Sequence, residues 1–192
     1  MAKKNEFQPD KPKLGILDRL HLTKLQRRIL LKWVLYTAVL LTLSLLQDVI
    51  LCHFRIAGAS TELIPCAIFL ICLLEGSEQG SVFALIASSL YLFSGTAPGV
   101  YSLVILTFVA ILAAYMRQTY LQKGFSSAML CCIPALVLYE LLTFAFGLFL
   151  GLTQPSRFVG FLITAGLTSL TAPALYPLFL RIGTIGGDPW KE

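Results

Sequence analysis

Four runs of apolar residues, roughly 29–51, 98–116, 126–152 and 159–181, constrain this chain more than any other feature. Each supplies the about 20 residues with which an α-helix crosses a hydrocarbon core of about 30 Å. Backbone that crosses lipid must satisfy its own hydrogen bonds, so runs of this kind fold as helices. Composition agrees. The chain is 57% hydrophobic and only 13% charged, against about 25% charged in an ordinary soluble domain. So few charges cannot cover so much apolar area with a wettable surface. A soluble globular enzyme and a disordered chain are both excluded. The expected fold is all-α: one polytopic bundle of membrane helices.

Between the first two long runs lies a harder region. Residues 63–74 (LIPCAIFLICLL) and 81–93 (SVFALIASSLYLF) are separated by a turn, EGSEQG, at 75–80. At about 1.5 Å per residue each run spans only about 20 Å. The second helix starts earlier, near Ala59, giving six spans, or the pair forms a re-entrant hairpin between four full spans. Six spans is the favoured reading, because Glu75 and Glu78 are cheaper at an interface than within the bilayer.

The charge is +5 with a pI near 9.0. Its placement points to topology and not to nucleic acid. Nine of the 15 Lys and Arg fall in residues 1–32. With the N-terminus inside, the inner segments also hold Arg117, Lys123, Arg181 and Lys191, while the outer ones hold only Arg55 and Arg157. This is the positive-inside pattern for cytoplasmic N- and C-termini. The organisation expected is a basic arm (1–28), a six-helix transmembrane domain (29–182) and a cytoplasmic tail (183–192). Within the arm, Leu14, Leu17, Leu20 and Leu25 alternate with basic residues at roughly helical spacing. That segment is either an amphipathic helix on the membrane surface or an extension of the first span. The short loops leave no room for a soluble domain.

Chemistry-bearing patterns are sparse. No Ser/His/Asp set, phosphate loop or HExxH occurs, so no catalytic, metal or cofactor-binding residue is expected. Glu140 is the only acid deep in a span; Gln47 and Asp48 sit near the outer end of the first. An intramembrane acid is a functional candidate by default. Its plainer role is a protonated latch to a neighbouring helix, in a polar patch that Tyr139 and Thr143 of its own run would join. The five cysteines show no CxxC spacing and read as small packing groups. Small residues recur at packing spacing: Gly80, Ala84 and Ser88 on the third helix, Ala110 and Ala114 on the fourth, Gly147 and Gly151 as GxxxG on the fifth, Ala165 and Ser169 on the sixth. Such residues let helix backbones approach closely, within the bundle or against a partner. Pro65, Pro134, Pro173 and Pro177 should bend or break their runs.

The order of these features resembles the MreD family, the integral membrane proteins of the bacterial rod-shape system. The first helix ends in LLQDVIL (45–51). A short apolar run closes in a turn with Gly76 and Gly80, and a small-residue helix ends in LFSG (92–95). Pro98-Gly99 precedes a helix ending at Arg117, and ALYPLFLRI (174–182) closes the chain. The likeness covers about residues 29–182. In the family an acidic residue commonly precedes the LxSG-like end of the third helix; here Tyr91 stands there.

The resemblance implies a non-enzymatic scaffold in the bacterial cytoplasmic membrane. Its partners would be an MreC-like protein and, through it, the actin-like MreB, RodA and a class B penicillin-binding protein, together steering peptidoglycan synthesis. It also implies contact with membrane lipid and leaves a homo-oligomer open. The family fold is similar to that of the six-helix substrate-binding subunits of energy-coupling-factor vitamin transporters, which supplies the rival reading. Such a subunit needs a small-residue docking face on the first helix and ligand-holding groups near the outer ends. Ala38 and Thr42 are available for the first. Gln47, Asp48, Tyr101, Gln154 and Arg157 are available for the second.

Overall fold

A computed structural model describes residues 24–49, 51–53, 61–120 and 124–186. Among them there are six α-helices and no strand: α1 (Lys24–Val49), α2 (Leu63–Glu75), α3 (Ser77–Phe93), α4 (Tyr101–Tyr120), α5 (Phe125–Phe149) and α6 (Phe158–Gly183). Four helices are long and apolar enough to cross a membrane: α1, α4, α5, and α6 with the 3₁₀ turn before it. They coincide with the four runs read from the sequence. Most of the amphipathic segment expected at 14–28 lies outside the described residues; Lys24 to Arg28 are the first residues of α1.

The centre of the fold is α2. It packs against all five other helices, and all of its 13 residues are buried. A helix apolar all round has no face for water and is stable only when enclosed. The expected early start near Ala59 is not found. Residues 59 and 60 lie outside the described set, Thr61 and Glu62 are not helical, and Glu62 is extended (φ −101°, ψ 95°). The helix therefore stays at about 20 Å. It needs no more, because protein and not lipid surrounds it. Non-helical backbone at membrane depth is tolerated only where protein or a water-filled cavity covers it.

The α2–α3 corner turns on a single residue. Gly76 has φ +89°, a backbone conformation that costs a side-chain-bearing residue strain. Its neighbour Ser77 donates from backbone N and Oγ to Gln118 Oε1 of α4, at 3.3 and 2.8 Å, and pins the corner. Just beyond it, a Cβ on Gly80 would lie 2.9 Å from Cys72 Cα and O, so α2 and α3 cross with backbones in near contact. The rest of the small-residue face also points inward. Ala84 and Ser88 are fully buried, and the Ser88 hydroxyl lies 2.8 Å from Thr107 Oγ1 on α4.

Two expectations narrow here: the prolines break no described helix, and the GxxxG pair is corrected. Pro134 lies within α5, and Pro173 and Pro177 within α6, without ending either helix. Neighbouring helices can satisfy the carbonyls a proline leaves free. Pro65 falls in the first turn of α2, where its missing N–H would be unpaired in any helix. Second, Gly147 and Gly151 do not share a helix face. Gly147 is buried in α5, where a Cβ would lie 2.7 Å from Thr153 Oγ1. The helix ends at Phe149. Gly151 is exposed just beyond it, with φ +71° and nothing near its Cβ position.

Candidate functional site

Two polar layers hold α2, one at each end, and α1 contributes to both. At the start of α2, Gln47 Oε1 accepts from the backbone N–H groups of Leu63 and Ile64, at 2.8 and 3.2 Å. These are two of the four N–H groups that a helix start leaves without a partner. Glu62 N donates to Thr168 Oγ1 of α6 at 3.1 Å, and the Tyr91 hydroxyl of α3 donates to Glu62 Oε2 at 3.1 Å. Four helices thus meet at the first turn of α2.

At the other end, Lys32 Nζ of α1 pairs with Glu75 Oε2 at 2.5 Å, with side-chain exposures of 4% and 1%. The Tyr36 hydroxyl donates to the second oxygen, Oε1, at 2.7 Å. Arg117 Nη1 of α4 donates to the Leu73 carbonyl at 2.5 Å, one of the carbonyls a helix end leaves unpaired. Cations at a helix C-terminus also complement its dipole. Gln47 and Lys32 are 15 residues apart on α1, a rise of about 22 Å, against about 20 Å for α2. One helix therefore carries a side chain at the right height for each end of the other.

By sequence Glu75 belongs to an interfacial turn and Lys32 is one of the charges that set topology. Both are inside the bundle and paired with each other. A signal was available: Lys32 interrupts an otherwise apolar run, ILLKWVLY, and Glu62, before the first turn of α2, makes no side-chain cap.

Glu140 is 4% exposed and makes no hydrogen bond or ion pair among the described residues, so the expected latch to a neighbouring helix is not formed there. Its carboxyl interacts electrostatically with that of Glu62. The Tyr139 hydroxyl interacts with both acids and lies toward Thr143 and Tyr91. It and Thr143 Oγ1 are buried without a hydrogen-bond partner. Two acids 78 positions apart in the sequence thus come within electrostatic reach through the fold. Asp48 takes no part in this group; it is half-buried, with Oδ1 enclosed and unpartnered. Cys66, Cys72, Cys131 and Cys132 are free thiols, and no group of three or more metal-ligating side chains occurs among the described residues.

The outer surface carries apolar grooves. One of about 480 Å³ runs between α1 and α3, and another of about 340 Å³ lies between α4 and α5, lined by residues such as Leu112, Met116 and Pro134. Comparison of the chain with protein-family models, with curated proteins and with solved structures returned no match.

Proposed function

We propose that the protein is a non-enzymatic membrane scaffold of the bacterial wall-elongation machinery, of the MreD type, with six spans and both termini cytoplasmic. The observation that carries this reading is the use made of the interior polar groups. Gln47, Lys32, Tyr36, Tyr91, Arg117 and Thr168 all bond to α2 or its flanking acids and fix one short helix inside the bundle. The grooves open on the flanks, where other membrane helices dock by close packing. The order of motifs from LLQDVIL to ALYPLFLRI adds support from the sequence. Tyr91, where the family commonly has an acid, serves this chain as the donor to Glu62.

The scaffold would link an MreC-like protein, and through it MreB, RodA and a class B penicillin-binding protein, in the cytoplasmic membrane. Depleting it should round or widen the cells and misplace new wall synthesis. Normal shape under depletion would overturn the reading. The Glu62–Tyr91–Tyr139–Glu140 group favours the rival, a substrate-binding subunit of an energy-coupling-factor transporter, because it gathers polar groups near the start of α2. Loss of uptake of one vitamin with shape intact would establish that rival.

A further inference from the structure

We infer that the groove between α1 and α3 docks a transmembrane helix of a partner protein, with a Lys or Arg at that helix's cytoplasmic end seated against Glu78. The inference rests on the scaffold reading and adds to it a place and a charge rule.

The groove exists because α1 and α3 both lean on α2 and touch each other only marginally. Its floor is Leu40, Phe83 and Ala87, all buried. Its rims are Trp33 on one side and Val82 and Ile86 on the other, the last two 63% and 53% exposed. The lining runs along α3 from Glu78 to Leu90, about 18 Å, or over half of a hydrocarbon core of about 30 Å. Ala87 at 1% exposure is a small-residue floor of the kind that admits a neighbouring helix closely.

The inner mouth decides the occupant. Glu78 and Gln79 are exposed there, and the Glu78 carboxylate makes no ion pair among the described residues. With the N-terminus inside, this mouth lies at the cytoplasmic headgroup level. An anionic phospholipid would place its charge against that carboxylate. A membrane helix places Lys or Arg at the same level, since cytoplasmic flanks are basic. The charge at the mouth thus favours a helix over a lipid tail, and the apolar length beyond it accepts a helix face.

The test uses the full chain co-expressed with the MreC-like partner of the proposed complex. Val82→Trp narrows the groove from its exposed rim without entering the bundle, and Ala87→Phe fills its floor. Each should lower recovery of the complex at least tenfold while the variant still accumulates as a monodisperse protein. Glu78→Lys should lower recovery several-fold, and reversing a basic residue to Glu at the partner's cytoplasmic flank should restore it. Wild-type recovery for Val82→Trp and Glu78→Lys overturns the groove assignment while leaving the scaffold reading intact. No complex with the unaltered chain, together with normal shape on depletion, overturns the scaffold reading itself. Loss of self-association with partner binding unchanged assigns the groove to a second copy. Loss of co-purifying phospholipid alone assigns it to lipid. Either result overturns the proposal.

Discussion

The Lys32–Glu75 pair sets up a test in which each single variant should cost far more than the double variant. Lys32→Met leaves a carboxylate at 1% side-chain exposure with the Tyr36 hydroxyl as its one remaining partner among the described residues. Removing one member of a buried pair costs about 3–5 kcal/mol, because the other charge stays desolvated and unmatched. Glu75→Leu strands the ammonium of Lys32, left among the described residues with a cation–π contact to the Trp33 ring at 5.5 Å, and should cost a similar amount. The double variant removes both charges with little change in volume, and such replacements are neutral or stabilising by about 1–4 kcal/mol. It also takes the acceptor from Tyr36, at about 1–3 kcal/mol. The Phe179 carbonyl, 3.5 Å from that hydroxyl, offers a partial substitute. The two terms nearly offset, so the double variant should fall within about 2 kcal/mol of the parent. The assay is reversible unfolding of the purified protein in micelles, read as a double-mutant cycle with a coupling of at least about 4 kcal/mol. If Lys32→Met costs under about 1 kcal/mol, or if the single costs simply add, the pair does not hold α2 to α1 as argued.

Three further outcomes follow from the geometry. Gly80→Ala should destabilise by about 1–3 kcal/mol, since its Cβ would meet Cys72 backbone at 2.9 Å; Gly151→Ala should cost about 1 kcal/mol from its positive φ alone, and equal losses at the two sites in thermal unfolding would refute the distinction. Glu140→Gln should change stability by less than about 1 kcal/mol, because the carboxyl makes no hydrogen bond among the described residues and even formed interhelical bonds average about 0.6 kcal/mol; a larger loss in the same assay would mean that the charged form meets a cation on a partner or ligand. Reporters fused after Glu192 and at Thr96 should read cytoplasm and outside respectively, and an outside signal from Glu192 would invert the charge asymmetry and sink the six-span topology.

The long helices are legible in the sequence because a spanning run carries its own evidence: about 20 apolar residues with charges gathered at the ends. The same logic misreads α2. Its 13 residues look too short to span, and the natural repair is to lengthen it toward Ala59. The structure keeps it short and supplies its ends from Gln47, Lys32 and Arg117. Those contacts join residues 16 to 44 positions apart, so no local spacing could announce them. Glu140 shows the same limit. Its depth is readable from its place in the run, but Glu62 sits outside any apolar run and becomes its neighbour only through the fold. The small residues divide by context. Gly80 is tight because α3 folds straight back on α2, whereas Gly151 merely looks like half of GxxxG; its place beyond the last turn of α5 is set by where that helix stops.

The enclosure of α2 also carries an order of events for biogenesis. As the chain leaves the ribosome, α2 emerges before α4, α5 and α6, which later wall it in. During that interval a helix of about 20 Å would have to rest in a bilayer thicker than itself, with polar backbone at both ends. The helix made just before it already holds the remedy, since Gln47 and Lys32 reach the two ends of α2 as soon as the α1–α2 hairpin closes. Arg117, Tyr91 and Thr168 arrive afterwards and complete what the hairpin began. The first helix of this chain is thereby the chaperone of its second.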